Sequence, residues 1–130
     1  MELVECIEEY WEFVRMIRTH SENKDWFFSN SEISKDQQVE YMKINSDKYK
    51  ICLLDKMPVG YIGLLKDDEI TYCVHPDYKG RGIGTFMVSE IMKNNGNLSA
   101  FVYPQNEASK KVFENLGFQK RIFYFIEEKK

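Results

Sequence analysis

The chain has 130 residues and a formal net charge of −3, from 18 Lys and Arg against 21 Asp and Glu. This length predicts a single domain over residues 1–130, and the 43% of hydrophobic residues exclude a disordered chain. The net negative charge argues against a nucleic acid as a binding partner. No stretch approaches the roughly 18 apolar residues that would indicate a membrane span.

The first third of the chain is predicted to be mainly helical. Leu3–Cys6 is a candidate short strand, but apolar residues recur at helical spacing over 7–18 and favour a first helix over that strand. Residues 34–37 read Ser-Lys-Asp-Gln, which is the pattern of a capping box. A second helix is therefore expected near residues 35–46.

The periodicity changes at Tyr49, where three short apolar runs follow one another. The runs are Tyr49–Asp55, Val59–Leu65 and Glu69–Val74, and short turn sequences separate them. This spacing predicts an antiparallel meander of three strands.

The last third alternates helical and strand patterns. The patterns predict a helix over 85–94, a strand over Leu98–Tyr103, a helix over Ala108–Leu116 and a closing strand over Gln119–Ile126. The whole chain is thus expected to form an α/β (α+β) fold.

The three cysteines, Cys6, Cys52 and Cys73, form no C-x-x-C pair and have no His at ligand spacing. This arrangement predicts neither a disulfide framework nor a metal site. The segment Met1–Tyr10 carries four glutamates and lacks the positive, apolar pattern of a secretory leader. We therefore expect a cytoplasmic protein with reduced thiols.

A glycine-rich loop joins a predicted strand to a predicted helix. Residues 74–84 read Val-His-Pro-Asp-Tyr-Lys-Gly-Arg-Gly-Ile-Gly. Glycines let a backbone approach a ligand closely, and the first N–H groups of a helix favour a phosphate. The loop therefore predicts an anion site that suits a pyrophosphate, and a flexible connection is the alternative. Neither the Rossmann fingerprint nor the P-loop pattern matches.

This loop resembles the acetyl-CoA loop of the Gcn5-related N-acetyltransferases, which reads Arg or Gln, two residues, Gly, one residue, Gly or Ala. Residues 79–84 read Lys-Gly-Arg-Gly-Ile-Gly, and residues 74–76 are similar to the family's V-x-P. The resemblance implies acetyl-CoA as the acyl donor. It also implies a mixed, mostly antiparallel central sheet flanked by helices, with splayed strands that hold acyl-CoA. The cofactor-binding residues that it implies in this region are Cys73, Val74, Lys79, Gly80, Arg81, Gly82, Ile83, Gly84 and Thr85.

The segment 106–118 resembles the family's second signature. In relatives the Asn at the position of Asn106 follows a splayed strand and contacts the cofactor, and the resemblance also implies Ser109 and Phe113 as cofactor-binding residues. An ordinary helix cap at Asn106 is the alternative, as is core packing of Phe113.

The implied reaction is acyl transfer from a thioester to an amine, which needs a base and a proton donor. Relatives often keep at position 113 a Tyr that protonates the leaving thiolate. Since Phe113 has no proton to give, Tyr72, Tyr103 or water is expected to take that role. Glu69 resembles the position of a catalytic Glu in several relatives and is the candidate base. The alternative is that residues 67–69 form only a solvated acidic turn.

The N-terminal region faintly resembles the branch that acetylates nucleotide-linked amino sugars. Trp26 and Phe27 are candidates to stack on a sugar or base, and Arg18 is a candidate to bind a phosphate. Core packing is the alternative for each.

The chain is thus predicted to be an N-acetyltransferase that acts on a small-molecule amine by direct transfer in a ternary complex, as a monomer or homodimer. A protein N-terminal or lysine acetyltransferase and a non-catalytic acyl-CoA-binding module remain the alternatives.

Overall fold

The computed structural model describes residues 1–27, 32–121 and 127. Within them lie five strands: β1 Glu2–Glu5, β2 Tyr49–Leu54, β3 Met57–Leu64, β4 Glu69–Val74 and β5 Ser99–Ala100. Four α-helices accompany them: α1 Trp11–Thr19, α2 Lys35–Asn45, α3 Ile83–Met92 and α4 Glu107–Asn115. In the described ranges no helix has the length and apolar character to cross a membrane.

The strands form one sheet in the order β1-β2-β3-β4-β5. The first three pairings are antiparallel, and β4 pairs with β5 in parallel. The mixed, mostly antiparallel sheet and the meander of β2, β3 and β4 are therefore confirmed. The strand predicted over Leu98–Tyr103 is shorter than expected, because only Ser99 and Ala100 join the ladder. Of the predicted closing strand, residues 122–126 lie outside the described residues.

The N-terminal segment differs from the prediction. The strand forms, and α1 begins only at Trp11 after a 3-10 turn at Glu8–Tyr10. The physical reason is alternation across the sheet: Val4 packs against the apolar cluster on one face and Leu3 against the cluster on the other. Pairing of β1 with the buried strand β2 fixes this register.

The sheet is covered on both faces. The buried residues Val14 and Ile17 of α1 and Met42 of α2 belong to the same apolar cluster as Ile51 and Tyr61. On the opposite face, Cys52 and Ile62 cluster with Ile83, Met87 and Val88 of α3 and with Phe113 of α4. Neighbouring residues of β2 and β3 therefore face opposite helical layers, which explains why these strands read as continuous apolar runs.

Local sequence signals set where the helices begin. The Ser34 hydroxyl accepts from the Gln37 N–H at 3.1 Å, and the Gln37 side chain accepts from the Ser34 N–H at 2.9 Å, so the capping box is confirmed. Helix α3 begins two residues earlier than predicted, because Gly82 takes a left-handed conformation with φ 77° as its N-cap. Asn106 caps α4 by accepting from the Ser109 N–H at 3.2 Å.

Candidate active site

The parallel strands β4 and β5 part soon after they begin. Their ladder contains only Glu69 with Ser99 and Ile70 with Ala100. Strand β3 continues to pair with the other edge of β4 as far as Val74. From Thr71 onwards, no described residue continues the ladder on the β5 side, so the backbone groups of Tyr72 and Val74, which point away from β3, face an opening.

A cleft of about 640 Å³ runs across this opening. One end lies between α1 and α2, and the other reaches the first turns of α4. The cleft brings together residues that were predicted for three separate roles. Those that line it are Arg18, Trp26, Phe27, Glu69, Tyr72, Asn106, Ser109 and Phe113.

Tyr72 lies at the opening between β4 and β5, where Ser109, Phe113 and Gly84 are its neighbours. Its hydroxyl is 2.8 Å from the Ser109 Oγ, and its ring centroid is 6.0 Å from that of Phe113. A Cβ on Gly84 would come within 3.0 Å of the Tyr72 ring, so the glycine makes room for the tyrosine. Burial raises the pKa of Tyr72, and the hydroxyl stays protonated at neutral pH.

Tyr103, the other predicted proton donor, is not among the residues that line the cleft. Its ring packs edge-on against Phe101, with centroids 5.7 Å apart. Phe113 is buried and also packs edge-on against Phe118 at 5.0 Å. The ring of Phe113 therefore serves both as core and as a wall of the cleft.

The glycine-rich loop has its backbone open on the outer side. Gly80 and Gly82 have φ values of 78° and 77°, a region that disfavours side chains, and no atom lies within 4 Å of a Cβ built on either. The first N–H groups of α3, at Ile83, Gly84 and Thr85, have no acceptor within the helix. These groups and the helix dipole favour an anion at this position.

Two exposed cations flank the loop. The Lys79 ammonium donates to the Glu22 carbonyl at 3.4 Å, and the Arg81 guanidinium lies 5.0 Å from the centroid of the Tyr78 ring. Both side chains are long and exposed, so they can turn towards a phosphate beside the loop.

Neither the side chain nor the backbone of Cys73 faces the opening, because its backbone pairs with Tyr61 of β3. The buried Cys73 thiol points towards α1, where its Sγ is 3.6 Å from the Ile17 carbonyl. Burial raises the pKa of Cys73 to about 12, which leaves the thiol protonated and unreactive. The Val74 carbonyl already accepts from the side-chain amide of Asn23 at 3.2 Å.

The end of the cleft between α1 and α2 contains polar groups that the sequence did not single out. The hydroxyls of Tyr41 and Tyr49 are 2.7 Å apart, and the rings of Tyr49 and Tyr61 meet edge-on at 5.9 Å. Burial raises the pKa of both Tyr49 and Tyr61. The Tyr61 hydroxyl makes no hydrogen bond to any residue that the structure describes, although Tyr61 lines the cleft.

Gln38 and Arg18 also line the end of the cleft between α1 and α2. The buried Gln38 donates through its Nε2 to the Trp11 carbonyl at 3.1 Å. The Arg18 guanidinium lies 4.7 Å from the centroid of the Phe27 ring, a cation–π contact. Among the described residues, this end of the cleft thus combines aromatic rings, the Arg18 guanidinium, the Glu32 carboxylate and neutral hydrogen-bonding groups.

Comparison with known proteins places these features in a family. The model described as the acetyltransferase (GNAT) family matches residues 4–118, which include every strand and helix described above except for part of β1.

Solved structures agree at the level of the fold. A ribosomal-protein-alanine N-acetyltransferase from Brucella melitensis has a TM-score of 0.78 at 15% identity, with 92% of this chain and 85% of that chain covered. A putative acetyltransferase from Salmonella typhimurium, solved with acetyl-CoA, has a TM-score of 0.75 at 16% identity over 91% and 79%. An aminoglycoside acetyltransferase in complex with coenzyme A has a TM-score of 0.69 at 18% identity over 92% and 84%.

Proposed function

The chain belongs to the GNAT acetyltransferase family, and from this premise we propose that it transfers the acetyl group of acetyl-CoA to the primary amine of a small molecule. The observation that carries the proposal is the cleft across the opening between β4 and β5. It joins an unpaired strand edge and the start of α4 to a polar, aromatic end beside α1 and α2.

Three parts of the chain suit acetyl-CoA. The open edge of β4 presents the backbone groups of Tyr72 and the N–H of Val74, which can pair with the amides of the pantetheine arm. The loop 80–84 and the first turn of α3 suit the pyrophosphate, with Lys79 and Arg81 beside it. Two similar folds were solved with acetyl-CoA or coenzyme A, which supports the same assignment.

Glu69 is the proposed base for the transfer. Its side chain lines the cleft at the first paired position of β4, next to the point where the strands part. It accepts the proton that the amine loses, directly or through water, as the nitrogen attacks the thioester carbonyl. The new N–C bond forms, the C–S bond breaks, and its electron pair leaves on the sulfur. Direct transfer needs no acyl-enzyme, which agrees with the buried and protonated thiol of Cys73.

The proposed acceptor is a small polar amine of the amino-sugar type. A cleft of about 640 Å³ must hold the acetylated end of the donor as well, which leaves room for a compact molecule only. Hydroxyl groups on the acceptor suit the Tyr61 hydroxyl and the Gln38 carbonyl. The rings of Trp26 and Phe27 offer a stacking surface, and Arg18 suits an attached phosphate.

An amine panel tests this proposal. Purified protein is incubated with acetyl-CoA and, separately, with glucosamine, a nucleotide-linked amino sugar, an alanine-initiated peptide and a peptide with an internal lysine. We expect acetylation of an amino sugar at rates well above those for either peptide. Acetylation of a peptide alone would favour a protein acetyltransferase. Binding of acetyl-CoA without turnover of any amine would favour a binding module.

Removing the hydroxyl of Tyr61 should weaken acceptor binding without destabilising the protein. Tyr61→Phe deletes a group that has no hydrogen bond within the described residues, so the free energy of unfolding should stay within about 0.5 kcal/mol of wild type. One lost hydrogen bond to the acceptor should raise KM for the amine by roughly 3- to 10-fold. Steady-state kinetics and a urea unfolding curve measure the two quantities.

Tyr49→Phe is the matched control, because the same atom is removed but a hydrogen bond to Tyr41 is lost with it. That variant should lose stability. A Tyr61→Phe protein with an unchanged KM would contradict the proposed contact.

A further inference from the structure

One buried amide side chain joins the end of β4 to the last turn of α1. Asn23 is only 4% exposed. Its Nδ2 donates to the Ile17 carbonyl at 2.8 Å and to the Val74 carbonyl at 3.2 Å. Because both partners are carbonyl oxygens, the NH2 group must lie between them, and each bond uses one of its two protons. Asn23 therefore connects two elements that are distant in the chain.

Asn23 does not act as a local helix cap. It stands at the N-cap position of the short 3-10 turn Lys24–Trp26, where an asparagine side chain commonly accepts from a backbone N–H of the first turn. Its side chain makes no such bond. Its backbone N–H donates to the His20 carbonyl at 2.8 Å, and its own carbonyl accepts from the Trp26 N–H at 3.0 Å. The residue is thus fixed on both sides, and its amide is free to serve β4.

The Val74 carbonyl is the outward acceptor of β4 nearest to the glycine-rich loop. The His75 N–H donates to the Val59 carbonyl at 2.8 Å, so His75 faces β3 and the backbone groups of Val74 point away from β3. Strand β4 ends at Val74, and the loop 80–84 follows a few residues later. A pantetheine arm that starts from a pyrophosphate at this loop therefore meets β4 first at Val74 and next at Tyr72.

We infer that Asn23 is a positioning residue for acetyl-CoA, because it closes the Val74 carbonyl to the amides of the pantetheine arm. With that carbonyl occupied, the outward groups left on β4 over 71–74 are the Val74 N–H and the N–H and C=O of Tyr72. An amide N–H of the arm then finds its acceptor at Tyr72, which gives the arm one register along β4. This inference rests on the proposed function, in which the thioester must reach the opening beside Glu69.

An open Val74 carbonyl would allow a second, shorter attachment of the arm. An amide N–H of the arm would then bind at Val74 instead of Tyr72, two residues closer to the loop. Strand residues are spaced by about 3.3 Å, so the thioester would stop about 7 Å short of its place near Glu69. A displacement of that size keeps the thioester carbonyl out of reach of the amine.

Asn23→Ala tests the inference through the relation between kcat and the KM for acetyl-CoA. Acetyl-CoA in the shorter attachment is unproductive, and unproductive binding lowers both constants by the same factor. One additional hydrogen bond favours the shorter attachment by roughly 5-fold, so both constants should fall by about that factor while kcat/KM stays unchanged. A purely structural role would loosen the site, raise KM and leave kcat as it is, and that result would overturn the inference.

Two comparisons control this measurement. Asn95→Ala also removes an amide that donates to a carbonyl, that of Ile91 at 2.9 Å, but at the exposed far end of α3. It should leave kcat and KM within about 2-fold of wild type. ADP carries the pyrophosphate without the pantetheine arm, so its Kd should be the same in wild type and in the Asn23→Ala protein. A raised Kd for ADP would mean that the substitution disturbs the loop, and would overturn the inference.

A crystal structure of the wild-type protein with CoA tests the same contact without any substitution, and decides the matter if Asn23→Ala fails to fold. Asn23 should still donate to the Val74 carbonyl, with the pantetheine amides paired to Tyr72 and to the Val74 N–H. A pantetheine N–H on the Val74 carbonyl, with Asn23 turned away, would overturn the inference and leave the proposed function intact. A wild-type protein that acetylates no amine in the panel would overturn both.

Discussion

Glu69→Gln is expected to lower kcat by about 100- to 1,000-fold, with acetyl-CoA binding close to that of wild type. Glutamine keeps the size of the side chain but cannot accept the proton of the attacking amine. The substitution leaves the backbone hydrogen bond of residue 69 unchanged, because its carbonyl still accepts from the Leu65 N–H. Steady-state assays of acetyl transfer measure the loss in kcat, and a thermal melt with acetyl-CoA measures binding of the donor.

The neighbouring residue supplies the control for Glu69. Asp68 is exposed and takes a left-handed conformation with φ 56°, which asparagine also accommodates. Asp68→Asn therefore removes one negative charge from the same turn and should leave kcat within about 2-fold of wild type. If Glu69→Gln retained more than half of the wild-type rate, residues 67–69 would be only a solvated acidic turn.

Gly60→Ala should destabilise the protein by about 3 kcal/mol, a large share of the stability of a small domain. A Cβ at this position would lie 2.8 Å from the Cys73 carbonyl oxygen and 3.2 Å from the Met87 Cε. The nearer atom is backbone of the adjacent strand β4, so the two strands must move apart. The midpoint of a urea unfolding curve should fall accordingly.

Gly96→Ala is the matched control, because no atom lies within 4 Å of a Cβ there. It should change the free energy of unfolding by no more than about 0.5 kcal/mol. Equal stability of the Gly60 and Gly96 variants would contradict the close packing of β3 against β4.

Much of the fold follows from local sequence signals. The capping box at Ser34 and the apolar runs of β2, β3 and β4 can be recognised from residues that are close together in the chain. In the structure, these elements begin and end within a few residues of the predicted bounds. The strand β1 is harder to predict, because four residues fit a helix or a strand equally well. Its pairing with β2, almost fifty residues away, decides the outcome.

The candidate site was predicted in part. Short contiguous motifs predicted the glycine-rich loop and the start of α4, and the family resemblance predicted Glu69; the structure places Glu69 and Asn106 at the cleft. Tyr61 could not be recognised, since a tyrosine in an apolar strand reads as core, and its ring is indeed buried. Only the cleft between α1, α2 and the sheet, which Tyr61 lines, makes its hydroxyl a candidate to bind the acceptor.

The choice between Tyr72 and Tyr103 also required three-dimensional information. Both follow strand patterns, and the sequence gives no sign of where β5 leaves the ladder. The parallel pairing ends at Ala100, before Tyr103 is reached, whereas Tyr72 lies on β4 and remains in the sheet beside the opening. The divergence of the two strands therefore places only Tyr72 of these two tyrosines at the cleft.

Thermal unfolding with and without acetyl-CoA tests the central claim most directly. Acetyl-CoA at about 100 times its Kd should add about 2.7 kcal/mol of stability, which corresponds to a rise in Tm of roughly 3 to 6 °C. Arg81→Glu puts a carboxylate beside the glycine-rich loop, where the pyrophosphate is proposed to bind, and should reduce that rise. Lys93→Glu, at the far end of α3 with its side chain exposed, should preserve it. A wild-type Tm that does not move at saturating acetyl-CoA would contradict the assignment of the opening between β4 and β5 as an acetyl-CoA site.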